Sequence, residues 1–589
     1  MTRALAGTAP GPALEAALEA VLGDPDQAAR RTAELDAAEG FPAELKQLLD
    51  TFGLAEYYVP AEHGGSLDDH EHLLRLWRTL ARRDLSATVA HGKTYLAAAP
   101  VWIAGTPEQT TRTAAAVLDG TPMAWALSEP DHGADLLNGT LTATAHGDGY
   151  RLDGVKWPVN NATRSGRLTL LARTGAPGAG RGQSLFLVDK AALAPDTWRA
   201  LPKVRTHGIR GIDISGIEFT GATVPGSALL GPEGSGVETV LLALQLTRTM
   251  CAALSLGAGE HALRIVARFA AHRVIQRKPL ADRAHPASVL ARGAALLGAT
   301  EAAALLATRS IHSLTGEQSV TAATVKALAP TLVDSMLGEL AELLGARSFL
   351  TDVHEHGAFQ RIERDHQVVA VFDGSTPVNR AALVQQFPRL VRGHAAQTVD
   401  TAGLAEAADV GERLRALDPG ALTLLSRNGG SAVQALPGLL ASGALADGPP
   451  GLAEHAATLD ATTRLLHTLM ADVRPAARPP MAAYELAAGY ELCYAGAACL
   501  HLWAAGRDRH HGEPLWEDAL WARAALRALN TRLAAQLRIP PPEPAPGDDL
   551  IDARLTRLLV EAATTGAPVT PFGAPTTAPC PGGGTTDEC

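Results

Sequence analysis

The sequence predicts an α+β protein in which helical segments flank one β domain. Three observations carry that prediction. Residues up to about 120 space their apolar side chains at the 3.6-residue period, with Gly or Pro stops. From about 122 the pattern shortens to alternating, Thr- and Val-bearing runs separated by Gly-Asp-Gly turns. From Gly236 the helical spacing returns and, after a break near 391–403, continues to about 564.

The first region, 1–121, contains LEAALEAVLGDP, ELDAAEGFPAELKQLLDTFG and EHLLRLWRTLARR, with a loop at residues 59–65, and reads as an N-terminal helical domain. The runs MAWALSEP, GTLTATAHGDGYRLDGVKW, RLTLLARTG, SLFLVD and IDISGIEFTGATVP build a middle antiparallel β domain over 122–235. Long amphipathic segments over 236–395 form a C-terminal helical bundle, and 404–564 an extra helical domain rich in Ala and Leu. The Pro/Gly/Thr end, 565–589, has nothing to bury and is expected to be disordered. A chain of 589 residues is too long for one core, in keeping with this division.

Composition narrows the function. A formal net charge of −11 opposes a nucleic-acid partner, because phosphate binding needs a basic face. Five cysteines show neither metal-ligand spacing nor a disulfide framework, and Cys580 and Cys589 read as exposed free thiols. The first residues lack the apolar core of a signal peptide, and the apolar stretch 482–506 is interrupted by Glu485, Glu491 and His501. A cytoplasmic protein without a membrane span is expected. No metal site is expected either: His354-Glu355-His356 reads as a solvated loop.

One segment suggests chemistry. In RDHQVVAVFDGSTPVNR, residues 364–380, a single carboxylate, Asp373, stands between an apolar run and a Gly-Ser-Thr turn. Apolar surroundings disfavour a charged carboxylate, and Gly374 permits a turn at which backbone can approach a ligand. That pairing suits a general base acting on a carbon acid. The same residues also suit an Asp capping a helix that begins near Pro377.

Further motifs accompany it in order: Leu127-Ser128-Glu129-Pro130-Asp131-His132-Gly133-Ala134-Asp135, the hairpin GDGYRLDGVK at 147–156, the exit LGPEGSG at 230–236, Arg273 before VIQRKPL, and Arg364-Asp365 before Asp373-Gly374-Ser375. Together, across about residues 40–390, they resemble the acyl-CoA dehydrogenase family, with an added C-terminal helical region as in its long-form members. The resemblance implies FAD as cofactor and desaturation of an acyl thioester at Cα–Cβ. Asp373 would remove the α-proton while the β-hydrogen leaves as hydride to flavin N5. It implies that Trp125, Leu127 and Ser128 line the flavin edge with Asn160 beside them, and that Gly133 and Ala134 lie at the pyrophosphate. Arg273 would reach the FAD of a neighbouring subunit, Glu342 and Gly345 the adenosine end, and Ser375 the cofactor near the base. Arg248, Phe372 and Gly374 would contact substrate. A homodimer or homotetramer follows, with an electron-transfer flavoprotein or another acceptor as partner.

Several positions depart from the family pattern. Asp373 is one methylene shorter than the usual Glu, Ala134 replaces a Ser, and Pro158-Val159-Asn160 replaces a Trp-Ile-Thr element. Gln245 replaces an acidic residue that contacts the CoA adenine in some members. An acyl group on a carrier protein's phosphopantetheine would present the same thioester as acyl-CoA. Two other readings remain: a flavin-dependent amine monooxygenase on the same fold, and a catalytically altered acyl-binding protein. Alone, Arg273 and Arg248 would read as a solvated helix charge and a helix-end ion pair.

Overall fold

The computed structural model describes residues 11–573, except 177, 178, 444, 446, 447, 475 and 477; Cys580 and Cys589 lie outside the described residues. Among the described residues the N-terminal region forms six α-helices: α1 (Gly11–Leu22), α2 (Pro25–Ala37), α3 (Ala43–Phe52), α4 (His70–Arg83), α5 (Leu85–Ala104) and α6 (Pro107–Leu118). Their starts are encoded locally. Asp24, Asp69 and Asp84 accept from backbone N–H groups at the first turns of α2, α4 and α5, and Thr106 and Gln109 close a reciprocal capping box on α6.

The middle region is one sheet of β1 (Met123–Ala126), β2 (Thr142–His146), β3 (Gly149–Asn160), β4 (Arg167–Arg173), β5 (Gln183–Asp189), β6 (Trp198–Leu201), β7 (Ile214–Pro225) and β8 (Leu229–Leu230). The strand order is β6-β7-β3-β2-β4-β5-β8, with β1 joined to β4. Most pairs are antiparallel, but β1 runs parallel to β4, Trp125 opposite Thr169, and β2 meets β4 in parallel at Thr142 and Arg173. Alternation alone predicted a wholly antiparallel sheet. β1 escapes because it enters from α6 and leaves through a long loop, so no hairpin turn dictates its direction. Leu152, Leu170, Phe186, Ile217 and Phe219 form the sheet's own core.

Six further helices follow: α7 (Gly236–Met250), α8 (Ala252–His272), α9 (Ala284–Ser313), α10 (Gln318–Leu344), α11 (Ala358–His366) and α12 (Thr376–Ala396), with a hairpin of β9 (Val274–Ile275) and β10 (Lys278–Pro279). The stretches 236–272 and 284–313 are apolar and long enough to cross a membrane, but 89% of each such window is buried inside the protein. They are core helices. α8 packs closely on α4 because a Cβ at Gly257 would come within 2.6 Å of the Arg78 carbonyl. Beside that crossing Glu260, fully buried, accepts from Arg78, Arg82 and Arg264.

The extension comprises α13 (Thr401–Ala408), α14 (Ser431–Gln434), α15 (Leu436–Ala441), α16 (Leu452–Ala471), α17 (Met481–Gly506), α18 (Leu520–Leu537) and α19 (Asp548–Thr565). It does not keep a separate core: Leu459, Tyr490 and Leu500 belong to the same apolar cluster as Leu305, Val325 and Leu383 of the bundle. The tail needs a correction where it is described. Phe572 is 2% exposed, its carbonyl accepts from Arg75, and the Pro571 carbonyl accepts from the Trp516 indole. The single aromatic in that stretch supplies the apolar area that its Pro/Gly/Thr composition conceals.

Where α12 meets α16, the rings of His394 and His467 stack at 3.9 Å, and Tyr490 of α17 meets His467 edge-on. His467 Nδ1 donates to the Thr463 carbonyl. Burial, reinforced by His394, pushes His467 down to about 4 from an ordinary 6.5. Asp460 and Arg464, on α16, are the charged groups that bear on His394. The unfolded chain therefore binds this proton first, so stability present above pH 6.5 falls as the pH drops toward 4. The loss is on the order of 3 kcal/mol at about 1.4 kcal/mol per pH unit. Denaturant midpoints measured across that window should fall steeply in wild type and less in His467→Phe.

Candidate active site

Asp373 lies in the turn between the helical run Gln367–Ala370 and α12. Its φ is 55° and that of Gly374 is 93°, so two successive residues adopt the left-handed region. For Asp this costs about 1–2 kcal/mol, which surrounding bonds must offset. Those bonds are present. Arg248 Nε donates to the Asp373 carbonyl at 2.8 Å, and Asn379 Nδ2 donates to the carbonyls of Gly374 and Ser375 at 2.8 and 3.0 Å. A Cβ at Gly374 would meet Arg248 Nη2 at 2.6 Å, so only Gly lets the guanidinium sit against the turn. Upstream, Lys326 Nζ donates to the Val369 carbonyl at 2.6 Å, and Asp365 accepts from the Ile209 N–H at 2.7 Å. Arg364 reaches Asp36 at 2.5 Å. The turn is thus tied to all three regions of the core fold.

The helix-cap alternative fails. α12 starts at Thr376 with no side-chain cap, and Asp373 Oδ2 is buried without a hydrogen bond. Phe372 lies beneath Lys326, whose Nζ stands 5.1 Å from the ring centroid. Three cations surround the carboxylate: Arg248, Lys326 and Lys93, the last with Nζ 3.7 Å from Asp373 Oδ1. Burial lowers both Arg248 and Lys326 from their ordinary ranges, and Asp373 opposes that shift. Cys251 is buried in the same cluster; burial, with Asp373 adding to it, pushes its thiol up to about 12.

Across from the turn, β1 places Trp125 4% exposed, its indole N–H buried and unpartnered, with Lys93 Nζ 5.7 Å from the ring centroid. The Leu127 carbonyl accepts from Lys156 Nζ at 2.9 Å, and the Ser128 carbonyl from the Trp157 N–H at 2.9 Å. Glu129 braces this segment from below, accepting from Lys156 Nζ at 2.8 Å, from the Thr140 N–H and hydroxyl at 2.6 Å each, and from the Leu141 N–H at 3.0 Å. Asn160 Nδ2 donates to the Val89 carbonyl of α5 at 3.3 Å and leaves its Oδ1 buried and unpartnered.

Trp125, Leu127, Ser128 and Asn160 on the sheet thus lie on one side, and Phe372, Asp373, Gly374, Ser375 and Arg248 on the other. The remaining expected residues lie apart from them. Gly133 and Ala134 are exposed on the loop after β1, and a Cβ at Gly133 would meet nothing within 4 Å. Arg273, Glu342 and Gly345 are exposed. Glu342 lies about 24 Å along α10 from Lys326, and Arg273 about 33 Å along α8 from Cys251, at 1.5 Å per residue. His354, Glu355 and His356 diverge onto Phe269, Arg268 and Asp26. Lys93 and Lys326 were missed in sequence. Each stands in a helix that carries other polar groups, His91 and Thr94 beside Lys93 and Thr324 and Asp334 near Lys326, so no local signal marked them.

The sequence patterns of the acyl-CoA dehydrogenase N-terminal, middle and C-terminal domains match residues 25–121, 124–222 and 234–387. The chain belongs to the acyl-CoA dehydrogenase family. It is 24% identical over 362 residues to a probable acyl-CoA dehydrogenase of Mycobacterium tuberculosis, covering 61% of this chain and 91% of that one. It is 27% identical over 358 residues to cyclohex-1-ene-1-carbonyl-CoA dehydrogenase of Geobacter metallireducens, covering 60% and 91%. Among solved structures, an acyl-CoA dehydrogenase from Bacillus anthracis complexed with FAD aligns over 92% of this chain and 95% of its own, with TM-score 0.66 and 16% identity. That alignment takes in the extension.

This acyl-CoA dehydrogenase homologue is an oxidoreductase acting on CH–CH groups, and the family's cofactor is FAD. The residues fit that group. On the sheet side of the site the indole N–H of Trp125 and Asn160 Oδ1 are buried and unpartnered, as a flat ring with polar edges requires.

Proposed function

We propose that this acyl-CoA dehydrogenase homologue desaturates an acyl thioester with Asp373 as the base that takes the α-proton. The observation that carries the reading is the buried, unpartnered Asp373 Oδ2 on a turn held by Arg248. An oxygen so placed is ready to accept a proton, and the fixed turn aims it. When bound, FAD takes up the hydride lost from Cβ. Trp125, Leu127, Ser128, Asn160 and Ser375 would hold the cofactor's ring end, and Phe372, Gly374 and Arg248 would line the thioester's path. The Gln245 amide donates to the Thr423 carbonyl of the extension at 2.9 Å, so no acid stands there to meet an adenine amine. That supports a carrier-bound phosphopantetheine thioester beside acyl-CoA. Anaerobic bleaching of the flavin by a panel of CoA- and carrier-bound thioesters tests the reading. No bleaching by any of them, with oxygen consumed in the presence of an amine, would replace it by the monooxygenase reading.

A second copy of the chain would complete the cofactor site. Arg273, Glu342 and Gly345 lie beyond reach of Asp373 in one protomer, and apolar side chains surround them: Val274 is 57% exposed, Phe349 87% and Val353 50%. The Phe269–His354 and Arg268–Glu355 contacts bring the 347–355 loop beside the end of α8, so these residues share one face. Exposed apolar groups gathered in this way mark an interface. Arg273→Ala should lower FAD occupancy several-fold in the purified homodimer or homotetramer, read from the flavin-to-protein absorbance ratio. Unchanged occupancy would reject the cross-subunit role. An electron-transfer flavoprotein remains the proposed acceptor.

A further inference from the structure

We propose that Lys93 makes this site selective for acyl chains ending in a carboxylate about two or three carbons beyond Cα, an inference that rests on Asp373 being the base. Lys93 rises from α5 with its side chain 13% exposed, Nζ 3.7 Å from Asp373 Oδ1 and 5.7 Å from the Trp125 ring centroid. The ammonium therefore occupies the gap between the base turn and the strand facing the flavin edge, where the acyl group must lie.

Its bonding is incomplete. A charge-assisted N–H···O bond spans about 2.7–2.9 Å, and 3.7 Å is too long for one. Among the described residues Lys93 shows this loose ion pair and the contact with Trp125, and no hydrogen bond. An ammonium carries three donors, and leaving them unmade in a nearly buried place is unfavourable unless a ligand accepts.

The local charge points to an anionic acceptor. Asp373 is the one carboxylate that bears on Arg248 and on Lys326, and it is also Lys93's ion-pair partner. Arg248 and Lys326 each donate to a backbone carbonyl of the base segment, which neutralises neither. Three cations thus share one carboxylate. When Asp373 accepts the α-proton it loses its charge, and the three cations lose the one side-chain anion they share. A carboxylate on the substrate supplies the missing anion.

Reach sets the chain length. Oδ2 must come within about 3 Å of the α-hydrogen's carbon, and Nζ lies just past the other oxygen of the same carboxylate. A carboxylate two or three carbons farther along falls within ion-pair distance of Nζ. A chain ending in methyl would press hydrocarbon on the ammonium, and an aminoacyl chain would set two cations together.

The test uses FAD-loaded, full-length wild type, Lys93→Met and Lys93→Arg. Pantetheine thioesters of four- and five-carbon chains ending in carboxylate or methyl give anaerobic bleaching rates. The matching pantetheine thioethers, which cannot react, give dissociation constants by calorimetry. Wild type should favour the carboxylate chains at least tenfold in both readouts, Lys93→Arg should keep the preference, and Lys93→Met should reduce it to within twofold. Equal affinity for methyl chains in wild type would overturn the inference while leaving the thioester reading intact. So would a Lys93→Met that slows every chain alike, because Lys93 would then serve the base or the cofactor. If no chain of either kind binds or bleaches wild type, the thioester reading falls, and the inference with it.

Discussion

Asp373→Asn should abolish flavin bleaching by acyl thioesters, slowing the reductive half-reaction about 10³-fold or more, while FAD content stays near wild type and thermal stability falls, because three buried cations lose the carboxylate they share. A positioned general base contributes about 10²–10⁴ in rate. The substitution keeps the shape of the side chain and both left-handed backbone angles, which Asn tolerates. The Arg248 bond is to the residue-373 carbonyl, which the substitution leaves in place. Binding and turnover should therefore separate: stopped-flow bleaching should vanish, and calorimetric affinity for a thioether analogue should change little. Rapid bleaching by Asp373→Asn would remove Asp373 from the mechanism and direct the search to a base on the substrate or the cofactor.

Glu129→Ala should produce a large loss of stability. Glu129 and Lys156 are both almost wholly inaccessible, with side chains 3% and 1% exposed. Removing one partner of a buried pair costs about 3–5 kcal/mol, because the other is left charged without compensation. Here it also strips acceptors from two N–H groups and one hydroxyl of the 140–141 segment. Burial raises the Glu129 carboxyl, but Lys156 and the Thr140 bonds outweigh it and hold the group down to about 2. A depressed carboxylate stabilises the fold above its unfolded value of 4.5 and loses that contribution as pH falls toward 2. The wild type should lose stability across that window, and Glu129→Ala should start lower and respond less. Because Leu127 and Ser128 hang from the same segment, FAD occupancy should fall with stability. A variant of unchanged denaturant midpoint would show the pair to be energetically neutral.

Much of this architecture was legible along the chain because its signals are local. Asp24, Asp69 and Asp84 stand one residue before the helices they cap, and the Thr106–Gln109 start of α6 is a four-residue pattern. The β runs alternate at period two, and the Gly147-Asp148-Gly149 turn joins β2 to β3 as read. The direction of β1 was misread because parallel and antiparallel strands share that period. The tail was misread because Phe572 is one apolar residue in a polar stretch, and its pocket of Trp516 and Trp521 is built from residues about fifty positions earlier.

The site divides along the same line. Asp373, Gly374 and Arg248 announced themselves through a carboxylate at a Gly-bearing turn and through ordered motifs, all readable in short windows. Lys93 and Lys326 did not, since nothing local distinguishes a lysine that reaches solvent from one that turns inward. Only the packing of α5 and α10 against the turn brings positions 93, 248, 326 and 373 together across 280 residues, and low-dielectric burial then gives each charge its weight. Helix starts, strand period and the family's motifs follow from neighbours in the chain. Which charges share one buried space, and which groups are left waiting for a ligand, follows from contacts that form only when the three regions close on one another.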